Sequence, residues 1–113
     1  MQEEILKLYG NNSSLSEKEI QELLHEFTLG LNKGIIRSAE PDGKGGWQVN
    51  TWVKKGILLM FKHSTMTDMT DGKAQFFDKS TLPLHPFSLE DNIRMVPGGS
   101  SVRTGCYVAP GVI

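Results

Sequence analysis

Apolar residues recur at helical spacing in the first residues of the chain. Ile5, Leu6 and Tyr9 would share one face of a helix, so the spacing predicts a short helix over residues 1–9. The polar run of Asn and Ser at residues 11–14 is expected to end it.

A longer apolar pattern follows this break. Ser16 and Glu19 have the spacing of a capping box, in which each side chain binds the backbone N–H of the other residue. Behind them, apolar residues stand at positions i, i+3, i+4, i+7 and i+11: Ile20, Leu23, Leu24, Phe27 and Leu31. The pattern predicts an amphipathic helix that ends near Asn32 or Gly34.

The middle of the chain combines strand and helix signals. Residues 34–39 and 47–51 are predicted to be two strands around a loop at residues 40–46, which is rich in Pro, Asp and Gly. The run TWVKKGILLMFKH (residues 51–63) has ambiguous periodicity. We favour a helix here, with Asn50 or Thr51 as its N-cap, although the glycine and the β-branched residues within the run argue against one.

The next segment is more polar and contains two prolines. Residues 64–74 are rich in Thr and Asp and predict a mobile loop. Residues 75–79 (QFFDK) predict a short strand whose phenylalanines are packed. Pro83 and Pro86 argue against regular structure over residues 82–87, because proline lacks the backbone N–H that helices and ladders use.

The last eighteen residues form a six-residue repeat. They divide into VPGGSS, VRTGCY and VAPGVI, with valine in the first position and glycine in the fourth position of every hexad. Such a period is typical of parallel β-helices, in which three hexads complete one triangular coil. Single coils bury their interior only by stacking on further coils, so we expect the chain to be incomplete. A chance recurrence of valine in a Gly/Pro-rich tail is the alternative.

These patterns together predict an α+β fold with two regions. Residues 1–92 would form a small helical N-terminal domain with a β-hairpin, and residues 93–113 would form the first coil of a left-handed parallel β-helix.

Composition narrows the classes of function. The chain has 113 residues, a formal net charge of -1 and scattered Lys and Arg, which argues against nucleic-acid and anionic-membrane partners. Its single cysteine, Cys106, excludes an internal disulfide bond and fits a reducing compartment. The acidic start lacks the features of a signal peptide, so we expect a cytoplasmic protein.

Four stretches carry a resemblance to a known family. The runs WVKKGILLMFKH (residues 52–63), QFFDK (75–79) and RMVPGG (94–99), followed by VRTGCYVAPGVI (102–113), resemble tetrahydrodipicolinate N-succinyltransferases in the same order. The resemblance covers roughly residues 34–113. The run at residues 52–63 and the RxVPG junction make the resemblance specific to this family, because hexads alone would indicate only a broad acyltransferase superfamily.

The resemblance implies a homotrimeric, left-handed β-helix enzyme of lysine and diaminopimelate biosynthesis. Such an enzyme transfers the succinyl group of succinyl-CoA, its co-substrate, to the amino group of acyclic tetrahydrodipicolinate. The family's catalytic acids and most of its CoA-binding surface would lie beyond Ile113, so no catalytic residue and no bound cofactor are expected here. The family's substrate-contacting arginine matches Arg94, which we expect to bind the dicarboxylate acceptor.

Arg94 also has a physical reason to bind such an acceptor. A guanidinium holds a carboxylate with two parallel charge-assisted hydrogen bonds. The alternative is a solvated arginine, or one that pairs with nearby Glu90 or Asp91.

Other chemically capable residues are assigned structural roles. Lys54, Lys55 and Arg103 are expected on the solvated surface, and Cys106 is expected as a buried filler of the repeat. No spacing of His, Cys and carboxylates indicates a metal site. The tryptophans and most phenylalanines are expected in the core: Trp47, Trp52, Phe76, Phe77 and Phe87.

Two other functions compete with the succinyltransferase. One is a CoA-dependent hexapeptide acyltransferase with an amino sugar or amino acid as acceptor. The other is a non-catalytic module that caps one end of a β-helix, since an open solenoid end exposes unpaired strand edges.

Overall fold

The computed structural model describes all of residues 1–113. It contains three α-helices, four short strands and one 3₁₀ turn. The helices are α1 (Gln2–Tyr9), α2 (Glu17–Asn32) and α3 (Thr51–Lys62). The strands are β1 (Ala39–Pro41), β2 (Trp47–Val49), β3 (Met66–Asp68) and β4 (Phe77–Lys79), and the 3₁₀ turn is Leu89–Asp91. None of the three helices combines the length and the apolar character that a membrane-spanning helix needs.

Helix α2 begins at the predicted capping box. The Ser16 hydroxyl accepts a hydrogen bond from the Glu19 N–H at 3.2 Å, and the Glu19 carboxylate accepts one from the Ser16 N–H at 3.2 Å. These two bonds satisfy donors that the first turn of a helix otherwise leaves free. All five apolar residues predicted on one face of this helix are buried. The predictions for α1, α2 and α3 are therefore confirmed.

The core is formed by the three helices packed on one another. Phe27 of α2, Ile5 of α1 and Val53 of α3 are all completely buried, and the Phe27 ring lies 5.9 Å from the Trp52 ring. Only Leu82 joins this core from the residues that follow helix α3. The apolar contribution to stability thus comes almost entirely from the first 63 residues.

Gly56 lets helices α2 and α3 approach closely. A Cβ atom at this position would lie 2.5 Å from the Phe27 ring, which is closer than carbon atoms can approach. The ring is fully buried and has no free space to move into. Close packing therefore explains a glycine in the middle of α3, where helix propensity alone disfavours it.

The first hairpin is shorter than predicted. Strands β1 and β2 are antiparallel, with Ala39 opposite Val49 and Pro41 opposite Trp47. Residues 34–38 were predicted to be strand but form a turn that ends α2, in which the N–H groups of Ile35 and Ile36 both donate to the Gly30 carbonyl at 3.0 Å. These bonds satisfy one of the free carbonyls at the helix end, in place of a ladder.

The second hairpin was only half predicted. QFFDK contains a strand, as predicted, but its partner β3 lies inside the segment predicted to be a loop. The prediction that the phenylalanines pack is wrong, because Phe76 and Phe77 are 51% and 61% exposed. A two-stranded hairpin with no further layer on it leaves such side chains in solvent.

The repeat segment (residues 93–113) does not form a β-helix coil in the structure. Its one strand-like contact is an isolated antiparallel bridge from Arg103 to Leu84. Val96 is 62% exposed, whereas Val102 and Val108 are half-buried. Three hexads make one coil, and the ladders of a solenoid form between successive coils. That residues 93–113 lead into a β-helix therefore stays a prediction.

Candidate functional site

Arg94 lies just after the 3₁₀ turn, on backbone that is held by the end of the repeat. Its N–H donates to the Val112 carbonyl at 2.9 Å. Two residues earlier, the Asn92 carbonyl accepts from the Gly111 N–H at 2.6 Å. These two bonds fix the backbone around Arg94 against residues 111–112.

The Arg94 guanidinium is exposed and forms no ion pair. Its expected competitors bind elsewhere. The Asp91 carboxylate accepts from the Ser88 N–H at 2.8 Å. A hydrogen bond from the Glu90 backbone N–H to its own carboxylate has the largest effect on the pKa of Glu90, and one from the Ser88 hydroxyl has the next largest. Both hold this pKa below its usual value. The surface pairing of Arg94 with Glu90 or Asp91 is thus not formed, and its planar donors are free for a carboxylate.

Arg103, by contrast, has its partner within the chain. Its Nε and Nη2 atoms donate to the Asp78 carboxylate at 2.8 and 2.5 Å, and its guanidinium lies 5.5 Å from the centre of the Phe61 ring. The hydrogen bond from Arg103 has the largest effect on the pKa of Asp78, and one from the Lys79 N–H has the next largest. Both lower this pKa. Arg103 therefore joins strand β4 to the repeat segment.

The neighbouring lysines of α3 point differently, as the helical geometry requires. Lys54 is exposed, whereas the Lys55 ammonium lies 5.4 Å from the centre of the Tyr9 ring. This contact ties α3 to the end of α1.

Two further predictions of burial, besides those for Phe76 and Phe77, are wrong. Cys106 is exposed, because the hexads do not stack and nothing packs over the fifth position of the repeat. Trp47 is 67% exposed, since its face of the first hairpin has no covering layer, whereas Trp52 packs on the core. Phe87 is half-buried and stacks on His85 with the ring centres 3.8 Å apart.

The histidines form no group with acids or cysteine that could hold a metal ion. His25 is exposed. Both ring nitrogens of His85 and the Nε2 atom of His63 are buried without a hydrogen-bond partner. The Nδ1 atom of His63 lies 3.8 Å from the Glu17 carboxylate.

Sequence patterns missed one polar contact between the two halves of the chain. The Asn32 side chain, at the end of α2, donates to the Thr104 hydroxyl at 2.7 Å and accepts from the Gly105 N–H at 2.5 Å. Thr104 is the one buried polar residue of the chain. We call this pair of bonds the Asn32 latch. An asparagine at a helix end gave no sign of a partner 72 residues away.

A cleft of about 590 Å³ borders the latch. It lies between α2 and residues 80–86, and Asn32 and Thr104 form part of its wall. Other hydroxyls in the wall are already bonded: Thr28 donates to the Leu24 carbonyl and Thr81 to the Met60 carbonyl.

Comparisons with known proteins point to one family. Residues 1–63, which include all three helices, match the family model described as tetrahydrodipicolinate N-succinyltransferase N-terminal. The 2,3,4,5-tetrahydropyridine-2,6-dicarboxylate N-succinyltransferase of Granulibacter bethesdensis is 34% identical over 124 residues, an alignment that covers 100% of this chain and 43% of the relative.

Two further relatives carry the same name. The protein of Rickettsia bellii is 39% identical over 106 residues, covering 88% of this chain and 38% of the relative. The protein of Methylococcus capsulatus is 38% identical over 98 residues, covering 83% of this chain and 35% of the relative. The chain thus spans 35–43% of the length of these curated relatives.

Proposed function

Since the chain belongs to the tetrahydrodipicolinate N-succinyltransferase family, we propose that it is the N-terminal part of an enzyme that succinylates acyclic tetrahydrodipicolinate. The acceptor's amine would attack the thioester carbonyl of succinyl-CoA, an amide would form, and CoA would leave as the thiol after proton transfer. The relatives' shared name supports the reaction class and the dicarboxylate acceptor.

The observation that carries the proposal is the free guanidinium of Arg94. Its backbone is fixed by Val112 and its side chain is exposed and unpaired. A dicarboxylate must lose water when it enters a binding cleft, and two charge-assisted hydrogen bonds offset that loss. Arg94 would hold one carboxylate of the acceptor in this way.

The remainder of the enzyme is part of the same proposal. The repeat would continue into a left-handed β-helix, three copies would form a homotrimer with active sites between subunits, and the enzyme would act in the cytoplasm. The hexad pattern supports the solenoid, because its register of valine and glycine is kept over all three hexads. No residue of this chain is assigned to proton transfer, so we expect residues 1–113 alone to release no CoA.

Substitution of Arg94 in the full-length enzyme tests the proposal. Arg94→Ala should lower kcat/KM for the acceptor about ten- to a hundredfold, because a charge-assisted hydrogen bond contributes roughly 1.5–3 kcal/mol. The KM for succinyl-CoA should stay unchanged. Arg94→Lys should restore only part of the loss, since an ammonium cannot form the planar pair of bonds.

A matched control is available on the same chain. Arg37 is also exposed and in no ion pair, so Arg37→Ala removes the same charge at another place. It should leave acceptor kinetics unchanged. Wild-type acceptor kinetics in Arg94→Ala, with an intact trimer and melting temperature, would show that Arg94 does not bind substrate.

A further inference from the structure

From the Asn32 latch, we infer that Asn32 is a positioning residue that sets the place of Arg94 relative to the helical domain. The inference rests on the proposed function, since it assigns Asn32 a role in acceptor binding through Arg94. It concerns a side chain that lies on helix α2 and touches neither Arg94 nor its backbone partners.

The latch uses both ends of one amide. Nδ2 of Asn32 is the donor to Thr104 and Oδ1 is the acceptor from Gly105, so the repeat segment is held at two consecutive residues. Two bonds from one planar group fix direction as well as distance. The Thr104 backbone N–H also donates to the Pro83 carbonyl at 2.8 Å, which holds the same residue from the other side.

A second contact from the end of α2 reinforces the latch. The ring of Tyr107 packs on Gly34, where a Cβ atom would lie 3.0 Å from the ring. Gly34 also has a φ of +72°, so a larger residue would be strained there for two reasons. Residues 104–107 are thus fixed against residues 32–34 by one polar and one packing contact.

The path from this anchor to Arg94 is short. Four residues after Tyr107, the N–H of Gly111 donates to Asn92, and the carbonyl of Val112 accepts from Arg94 itself. No core residue lies between 92 and 113, so apolar packing does not place this segment independently. The geometry of Arg94 therefore depends on where the end of α2 holds residues 104–107.

Asn32→Leu in the full-length enzyme removes both bonds of the latch while keeping the size of the side chain. It should raise the KM for the acceptor about tenfold with little change in kcat or in the KM for succinyl-CoA. Asn32→Asp should retain most of the wild-type value, because the Thr104 hydroxyl can turn to donate and a carboxylate still accepts from Gly105. Thr104→Val removes only the hydroxyl and provides a milder test if Asn32→Leu does not fold.

Gln21→Leu is the matched control for lost stability. Gln21 lies on the same helix and donates from Nε2 to the His63 carbonyl at 2.8 Å, a bond to a distant segment that does not involve the repeat. Its loss should lower the melting temperature and leave the KM for the acceptor unchanged. A rise in KM for Asn32→Leu alone therefore separates positioning from general destabilisation.

A double-mutant cycle with Arg94→Ala decides the inference. If Asn32 acts through Arg94, Asn32→Leu has no further effect on the acceptor KM once Arg94 is alanine. An equal effect in both backgrounds, or none in either, overturns the inference and leaves the role of Arg94 standing. Wild-type acceptor kinetics in Arg94→Ala itself would overturn the proposed function instead, so the two failures are distinguishable.

Discussion

The helical front (residues 1–63) and the repeat segment (residues 93–113) are stabilised in opposite ways. Ten of the eleven core residues belong to the helical front, and none belongs to the repeat segment. The repeat segment instead depends on directed polar contacts, such as the Asn32 latch and the Arg103–Asp78 pair. One region buries apolar surface on its own, and the other is attached to it.

A candidate binding residue can thus be positioned without a hydrophobic core around it. The net contribution of one hydrogen bond to stability is roughly 1 kcal/mol, far less than that of a buried apolar cluster. Hydrogen bonds, however, also fix the relative direction of the groups they join. Arg94 lies in the weakly packed region, and its orientation therefore depends on the strongly packed one. The site and the helical front are separate in sequence but joined through residues 104–112.

Hydrogen exchange of residues 1–113 should show the largest contrast between the regions. Amides of α2 such as that of Phe27 should exchange roughly 10⁴-fold more slowly than those of residues 96–101, because the former open only with global unfolding. No backbone N–H of residues 96–101 donates to another backbone group in the structure. Exchange measured by NMR in dilute solution reports both sets in one sample.

Uniform strong protection from exchange over Val96 to Ile113 in a monomer would contradict the difference in stability between the two regions. It would mean that the repeat segment has a stable structure of its own. An intermediate result is expected for Thr104 and Gly105, whose N–H groups are bonded to Pro83 and Asn32.

Aromatic truncation should show the next largest effect. Phe27→Ala should lower the free energy of unfolding by about 3–5 kcal/mol, since it empties a fully buried site between α2 and α3. Trp47→Ala, a larger truncation on the exposed hairpin, should change it by less than about 0.5 kcal/mol. Denaturant unfolding followed by circular dichroism measures both, and similar losses for the two variants would disprove the assignment of the core.

The helical front was largely predictable from the sequence because local signals agree there. Apolar spacing, the capping box at Ser16 and the helix-ending residues near Asn32 all indicate the same helix. The α3 prediction was weaker because Gly56 argues against a helix, and only the buried Phe27 ring explains it. Tertiary packing, and not local propensity, therefore explains the glycine at position 56.

The remainder depended on partners that the sequence does not name. Strand β3 forms only because β4 lies beside it, and its own residues are polar enough to indicate a loop. The exposure of Trp47 and Phe77 depends on what covers a hairpin face, which no local pattern reports. Arg94 was named through resemblance, whereas Asn32 required the fold, because its partners lie 72 and 73 residues away.

The smallest expected effect concerns the ion pair that joins the repeat segment to β4, and it depends on pH. The hydrogen bond from Arg103 lowers the pKa of Asp78 in the folded chain, so the folded state favours the charged carboxylate. The stabilisation from this pair is therefore fully present above the unfolded-state pKa of about 3.9 and is lost as the pH falls through the lower folded-state pKa.

The Asp78 and Arg103 side chains are 29% and 47% exposed, so solvent and salt screen the pair and keep the effect small. A double-mutant cycle of Asp78→Asn and Arg103→Gln, measured by denaturant unfolding, should give a favourable coupling at pH 7 that is lost as the pH falls through the folded-state pKa of Asp78 and that weakens in about 1 M salt. Coupling that does not change with pH would mean that the charge of Asp78 does not hold the repeat segment, and attachment would then depend on the other contacts, such as the Asn32 latch, the packing of Tyr107 and the bond from Thr104 to Pro83.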